Sequence, residues 1–403
     1  MRACVLTWGC QLNQHRSEEL EGVLAEYGYC LVDAPEQADV VILNTCMVRA
    51  RAEEKARGRL AHLAALKSVG RPLLGVGGCM AQGYADNPLV TFPQADFVFG
   101  TRNLAQVPAL IDQAQAGERA VSIPPPGRDG QRLPVHRRSP FQAYVAVSEG
   151  CSLRCSYCVV PHVRGNLRSR SPEEIAEDLC HLAQGGCQEV TLLGQNVDAY
   201  GSDMLGSVDF ADLLRLAADT GIPRVRFTSS HPGFITPRVL QVMAEEPGVC
   251  EHLHLAVQSG SDAVLKRMRR GHTRAQLEQL IELARAAVPG INLTTDVIVG
   301  FPGETESDFR RTLTLLKEAR FGTVYAARYS PRPHTPAADW ADSVPEEVKK
   351  ERLQRVLRVA RTTALELHTN QIGRKVEVLV EGTFPDKGLC YGKTRAFRTV
   401  LFP

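Results

Sequence analysis

No apolar run in this 403-residue chain approaches the roughly 20 residues needed to cross a bilayer, and the opening MRACVLTWGC lacks the apolar core of a secretory leader. Both absences lead to the expectation of a cytoplasmic protein with no membrane partner. A dominant charge is missing too: 47 Lys and Arg stand against 45 Asp and Glu, a formal net charge of +2. Any polyanionic partner must therefore be met by a local patch. Structural disulfides are excluded by a reducing compartment, so the 12 cysteines must serve packing, catalysis or metal ligation. The length exceeds what one core usually supports, and two or three domains follow.

Strand and helix signals alternate along nearly the whole chain. RACVLTW, DVVILNT, PLLGVGG and DFVFG are short runs rich in branched residues, each followed by a helical pattern, which reads as a doubly wound parallel sheet over residues 1–120. Prolines and glycines then break both periodicities over 121–140, a linker. Six further strand candidates follow: AYVAVS, EVTLLGQN, RVRFTSS, HLHLAVQ, NLTTDVIV and TVYAARYS. Six βα units in succession fit an open, partial (β/α)6 barrel over 141–370, with its reactive loops at the carboxyl ends of the strands. A last helix carries Leu353, Val356, Leu357, Ala360, Ala364 and Leu367 on one stripe and Arg352, Arg355, Arg358 and Arg361 outside it. KVEVLVEG and GKTRAFRTVLF read as strands of a β tail, residues 374–403, too short to be a β domain alone.

Charge is uneven along this frame. Between Arg128 and Arg170 eight arginines face two acids, Asp129 and Glu149, and a second basic run extends from Lys349 to Lys375. Such stretches beside a catalytic region suggest RNA, although charge runs are often only solvated faces.

The cysteines sort into two kinds. Cys4, Cys30, Cys180, Cys187, Cys250 and Cys390 are scattered and read as structural, whereas Cys10, Cys46, Cys79, Cys151, Cys155 and Cys158 all follow expected strands at turns. EGCSLRCSYC sets Cys151, Cys155 and Cys158 in a C-x3-C-x2-C triplet after the first barrel strand. Iron–sulfur clusters are held at such short separations. Zinc is the competing reading, yet His162 is the nearest extra donor and has no partner at zinc spacing. Three ligands leave one iron of a four-iron cluster open.

The triplet, with Tyr157 as its aromatic, resembles the radical S-adenosylmethionine (SAM) superfamily. That resemblance implies that the methionine amine and carboxylate of SAM chelate the open iron, and that an electron from the reduced cluster cleaves the cofactor to a 5′-deoxyadenosyl radical. In this light Cys10, Cys46 and Cys79, in TWGC, LNTC and VGGC at the ends of three amino-terminal strands, converge on one sheet edge as a second three-cysteine cluster site. Gly9, Gly77 and Gly78 permit the tight turns.

Two triads in this order, with TWGCQLN, NTCMVRARAEEK, CVVPHVRG, LLGQNVDAYG, SSHP, VQSGSD and IVGFPGET, resemble the methylthiotransferases from residue 3 to about 370. LLGQNV and CVVP are similar to the MiaB group, which acts on N6-isopentenyladenosine beside the anticodon of tRNA. Family members that act on threonylcarbamoyladenosine in tRNA or on a ribosomal protein form the enzyme alternative. An iron–sulfur redox protein and a zinc-containing RNA-binding module form the non-enzymatic ones. The resemblance implies two 4Fe-4S clusters, SAM as radical source and methyl donor, a tRNA substrate and a reduced electron donor such as flavodoxin or ferredoxin. A monomer is expected.

Cofactor contacts are expected at strand ends. Gln195 and Asn196 are candidates for the methionine amine, Ser230, Gln258 and Ser259 for the ribose or carboxylate, and Arg270 for the carboxylate by a bidentate contact. The GFPGE turn, with Gly300 and Gly303, is a candidate for backbone approach to the adenine. His231 and Glu304 are read equally as supporting residues. Arg164, Arg168 and Arg170 are candidates for phosphates. The tail resembles the beginning of the RNA-binding β-barrel called TRAM and then stops.

Overall fold

The structure is a computed structural model that describes residues 1–67, 72–126, 132–206 and 208–403. Residues 127–131 of the expected linker, with Arg128 and Asp129 of the basic run, lie outside the described residues. Contacts group the chain into two compact units: Met1–Ser169 with Leu193–Gln195 and Ser330–Ala338, and Arg170–Leu192 with Asn196–Tyr329 and Asp339–Pro403. Among the described residues no helix is long and apolar enough to cross a membrane.

The first unit is built on a parallel sheet of β1 (Arg2–Thr7), β2 (Cys30–Leu31), β3 (Val40–Thr45), β4 (Leu73–Gly78), β5 (Phe97–Phe99) and β6 (Ala120–Ser122), in the order β2-β1-β3-β4-β5-β6. Every residue of β3 is buried. A strand covered on both faces reads as a continuous apolar run, which is how VVIL appears. One face packs on Leu20 and Leu24 of the helix Gln11–Glu26, the other on Ala56, Leu60 and Leu63 of the helix Ala50–Lys67. The sheet is thus doubly wound as expected. The short edge strands β2 and β6 went unread because two or three residues carry no period.

This unit also holds β7 (Gln142–Ala146) and the antiparallel pair β8 (Ser148–Glu149) and β9 (Arg168–Ser169). Leu12, next to Cys10 on the first helix, packs with Ala146, Leu193 and Tyr144. The apolar face of that helix therefore groups the first barrel strand and its loop with the amino-terminal sheet.

The second unit carries the parallel strands β10 (Glu189–Leu193), β11 (Arg224–Phe227), β12 (His252–Gln258), β13 (Asn292–Val299) and β14 (Thr323–Arg328). Val225 bridges Val249 and Ser230 bridges Leu255, both in parallel. β14 pairs with β13 and lies at the sheet edge, so the barrel is partial and open. The crossover helices start at well-formed caps: Ser171 Oγ accepts the Glu174 amide at 3.2 Å, and Asp209, Thr273 and Thr305 each make a reciprocal capping box.

The tail folds as an antiparallel sheet of β15 (Val378–Phe384), β16 (Leu389–Thr394) and β17 (Thr399–Phe402). It docks on the amino ends of the parallel strands. Arg226 donates to the carbonyls of Thr394 at 2.7 Å and Arg395 at 2.6 Å, Arg224 pairs with Glu377 at 2.6 Å, and Asn292 donates to the Ala396 carbonyl at 2.7 Å.

The helix Glu346–Thr369 departs from its expected stripe. Arg352 is buried and Leu357 exposed, because the Arg352 guanidinium meets the Glu304 carboxylate at 2.7 Å and the Phe309 ring at 5.3 Å. Lys349 is buried likewise, paired with Asp342 and set over the Tyr329 ring. Cys30 and Cys180, read as structural, are exposed, while Cys4, Cys187 and Cys250 are buried.

Candidate active site

Cys10, Cys46 and Cys79 follow β1, β3 and β4, which are adjacent in the sheet, so their loops meet along one carboxyl edge. Gly9 makes the approach possible: its φ is +134° and a Cβ there would lie 2.7 Å from the Cys46 Cβ. Cys46 and Cys79 are buried, and Cys10 is exposed. Burial pushes the Cys46 thiol up to about 12, and the neighbouring sulfurs of Cys79 and Cys10 push the same way. Burial also raises the Cys79 thiol, against the opposing charge of Arg164. Three mutually repelling sulfurs, two of them buried, are a donor set that a cationic iron–sulfur core relieves, since ligation requires the deprotonated thiolates.

Asn13 ties these loops together. Fully buried, its amide nitrogen donates to the carbonyls of Trp8 at 3.0 Å and Thr45 at 2.9 Å. Its oxygen accepts the Cys79 thiol at 3.9 Å and the Arg164 guanidinium at 2.7 Å. One side chain thus touches all three cysteine loops, a role the sequence reading missed although Asn13 lies in the quoted TWGCQLN.

Cys151 and Cys155 are buried and Cys158 is half-buried. Gly150, at φ +73°, is required here because a Cβ would fall 2.1 Å from the Asn166 carbonyl oxygen. The Cys151 amide donates to the Gly165 carbonyl at 3.0 Å and the Cys158 amide to the Cys155 carbonyl at 3.1 Å. Tyr157 is half-buried within the same loop. Both triads fall in the first unit, and Val159 and Val163 pack with Met47 and Cys79 in one apolar cluster. Among the described residues no three His, Cys, Asp or Glu side chains stand close enough to share a single metal ion. A four-iron cluster takes its thiolates at the corners of a larger body.

At the carboxyl ends of β10 and β11 the structure leaves polar atoms buried and unpartnered. These are both amide atoms of Gln195, both of Asn196 and the hydroxyl of Ser230. An orphaned buried polar group costs about 1–3 kcal/mol, so such atoms fit a polar ligand. His231 and His272 add an unpartnered Nε2 each, with their rings perpendicular at 5.3 Å. Asp198, which the sequence reading did not single out, accepts the His231 amide at 2.9 Å, and burial pushes its carboxyl up to about 8. Arg270 is buried and donates to the Ala256 carbonyl. Gln258 is buried at φ +74°.

The other expected contacts are engaged within the fold. Ser259 Oγ meets Thr312 Oγ1 at 3.3 Å and accepts the Ser261 amide at 3.2 Å. The Gly300 amide donates to Glu304 at 2.7 Å and the Gly303 amide to Ser343 at 2.8 Å.

The arginines expected to meet phosphates are corrected in part. Arg164 is buried against Asn13 and Glu149, and Arg170 pairs with Asp178 at 2.7 Å; only Arg168 of the three is exposed. Arg137 and Arg138 of the basic linker pair with Glu18 and Glu21. Arg137, Arg138, Arg164 and Arg170 of this run are thus paired with carboxylates, and those of Arg137 and Arg138 lie more than 100 positions away in the sequence.

A family model described as the radical SAM superfamily matches residues 145–316, and one described as uncharacterized protein family UPF0004 matches residues 2–100. The chain is 43% identical to a tRNA-2-methylthio-N(6)-dimethylallyladenosine synthase of Pelotomaculum thermopropionicum, over 99% of this chain and 91% of the relative. It is 44% identical to the synthase of the same name in Desulforamulus reducens, over 99% and 89%. Among solved structures it is similar to the radical SAM methyltransferase TsrM of Kitasatospora setae, with a TM-score of 0.61 and 16% identity over 84% of this chain and 75% of that one. The chain therefore belongs to the tRNA-2-methylthio-N(6)-dimethylallyladenosine synthase family of radical SAM methylthiotransferases.

Proposed function

We propose that this enzyme transfers a methylthio group to C2 of N6-isopentenyladenosine at position 37 of tRNA. The observation that carries the reading is full-length similarity to synthases of that name, with all six cysteines standing after strand ends in one compact unit. Residues 1–120 form the auxiliary-cluster domain, 141–370 the SAM-binding domain joined by the linker 121–140, and 374–403 a partial TRAM-like tail. When bound, the two 4Fe-4S clusters and SAM supply one-electron chemistry at the adenine C2–H bond and the sulfur and methyl group that replace its hydrogen.

The chain's own residues hold and orient these groups. Cys151, Cys155 and Cys158 grip the cluster that meets SAM, with Tyr157 beside them. The open amides of Gln195 and Asn196 and the hydroxyl of Ser230 receive the polar atoms of SAM. Arg270 would pair with its carboxylate and Gln258 would meet the ribose. Ser259, Gly300 and Gly303 fix the strand-end turns around them through the bonds that occupy their polar atoms. Cys10, Cys46 and Cys79 would hold the auxiliary cluster at the sheet edge, with Cys79 buried among Met47, Val159 and Val163 and Cys10 exposed. A flavodoxin or ferredoxin supplies electrons, and the enzyme works as a monomer in the cytoplasm.

The test is nucleoside mass spectrometry of a deletion strain complemented with wild type or Cys46→Ala. Wild type restores 2-methylthio-N6-isopentenyladenosine and Cys46→Ala does not, although the purified variant still cleaves SAM to 5′-deoxyadenosine. A deletion strain that retains the nucleoside overturns the tRNA assignment, and modification by Cys46→Ala overturns the auxiliary-cluster assignment.

A further inference from the structure

Arg164 ends the short helix Val160–Arg164 that follows Cys158, yet its guanidinium reaches the other triad. It is buried, and Nη2 donates to Asn13 Oδ1 at 2.7 Å, the same oxygen that accepts the Cys79 thiol. Nη1 is buried with no hydrogen-bond partner, 3.6 Å from Glu149. Glu149 is held more closely by Arg16, itself paired with Glu19 at 2.6 Å. Arg164 is therefore a fixed cation whose one carboxylate neighbour, Glu149, is already held by Arg16, and it keeps a donor without a hydrogen-bond partner beside Cys79. A desolvated charge in this state is costly unless an anion completes it. A four-iron cluster on three thiolates is such an anion, and its sulfurs accept hydrogen bonds.

We propose that Arg164 is a positioning residue for the auxiliary cluster: its unused N–H donates to a cluster sulfur, and its charge raises that cluster's reduction potential. The inference rests on the reading of Cys10, Cys46 and Cys79 as cluster ligands. It assigns to a side chain from the SAM-cluster loop the tuning of the other cluster, so the two triads are coupled through one guanidinium. A cation beside the cluster favours the reduced, more negative state, and low dielectric strengthens the effect.

The test uses the full-length chain with Cys151, Cys155 and Cys158 changed to Ala, so that only the auxiliary cluster loads. Reductive titration of this parent, followed by electron paramagnetic resonance, is compared with Arg164→Lys and Arg164→Met in the same background. The expected result is at least a tenfold weakening of the reduction equilibrium in Arg164→Met, or 59 mV lower for a one-electron couple, with Arg164→Lys between it and the parent. Equal potentials in all three at equal iron content overturn the inference. If Arg164→Met loses iron or fails to fold, Arg164→Lys decides: a lowered potential at full iron supports the role and an unchanged one refutes it. A parent that binds no cluster overturns the reading of the amino-terminal cysteines and this inference with it.

Discussion

Replacing Asn13 by Ala tests whether one amide organises the auxiliary site. The side chain is fully buried, and its removal strands the carbonyl oxygens of Trp8 and Thr45 and one donor of the Arg164 guanidinium. Each orphaned buried group costs about 1–3 kcal/mol, and a bond to a charged group sits at the upper end. The three share one cavity and are not additive, which puts the loss at about 3–5 kcal/mol. That is a large fraction of a typical domain's roughly 5–15 kcal/mol. Trp8 lies in the first unit and Trp340 in the second, so a Trp340→Phe background makes fluorescence a reporter of the first unit alone. Urea unfolding of the apoprotein with and without Asn13→Ala measures the difference. A loss below about 1 kcal/mol would refute the claim that Asn13 bears these three contacts, because none could then be a made hydrogen bond.

Two further outcomes are expected. The Asp198 carboxyl is pushed up to about 8 by burial, so the folded state binds a proton that the unfolded state has released. Its stabilising contribution is present at low pH and is lost as pH rises toward 8; the lowered His231 and His272 run the other way but are spent by about pH 6.5. Between pH 6.5 and 8 the wild type should lose about 1–2 kcal/mol more than Asp198→Asn in urea titrations, and parallel curves would remove Asp198 as the cause. Arg226→Met takes from Glu189 the nearer of its two arginines, leaving Arg224 at 3.6 Å, and takes from the carbonyls of Thr394 and Arg395 their guanidinium donor. The loss should be about 3–5 kcal/mol, with faster proteolytic cutting after residue 370, and an unchanged cutting rate would deny that Arg226 anchors the tail.

Pattern carried the reading of the frame further than that of the site. HLHLAVQ and NLTTDVIV coincide with β12 and β13, because branched residues bounded by polar turns leave little choice of period. The cysteines were found through their recurrence after strand ends, a local signal. Asn13, Glu149 and Arg164 carry no such signal. Several of their partners lie far off in sequence, Thr45 32 positions from Asn13, Arg16 133 from Glu149 and Asn13 151 from Arg164, and the fold brings them together. The same blindness made Arg164 and Arg170 candidates for phosphates and Arg137 and Arg138 part of a basic run, since a charge is read from the sequence but its counter-ion is not. Arg352 was misplaced on the outer face of its helix because an arginine on an apolar stripe is legible only with Glu304 and Phe309 in view.

The spacing of the two triads bears on how the protein matures. Cys151, Cys155 and Cys158 lie in a single loop, so closing a ring of a few residues around iron costs little chain entropy. Cys10, Cys46 and Cys79 are more than 30 residues apart in sequence, and each such closure on an unfolded chain costs about 2 kcal/mol more. The parallel sheet offsets that cost by fixing β1, β3 and β4 side by side. The first triad can capture iron on a partly made chain, whereas the second can do so only on a finished sheet. If Cys10, Cys46 and Cys79 ligate a cluster as proposed, its assembly would be a checkpoint on folding, and a destabilised sheet would emerge as an enzyme with one cluster rather than as an unfolded one.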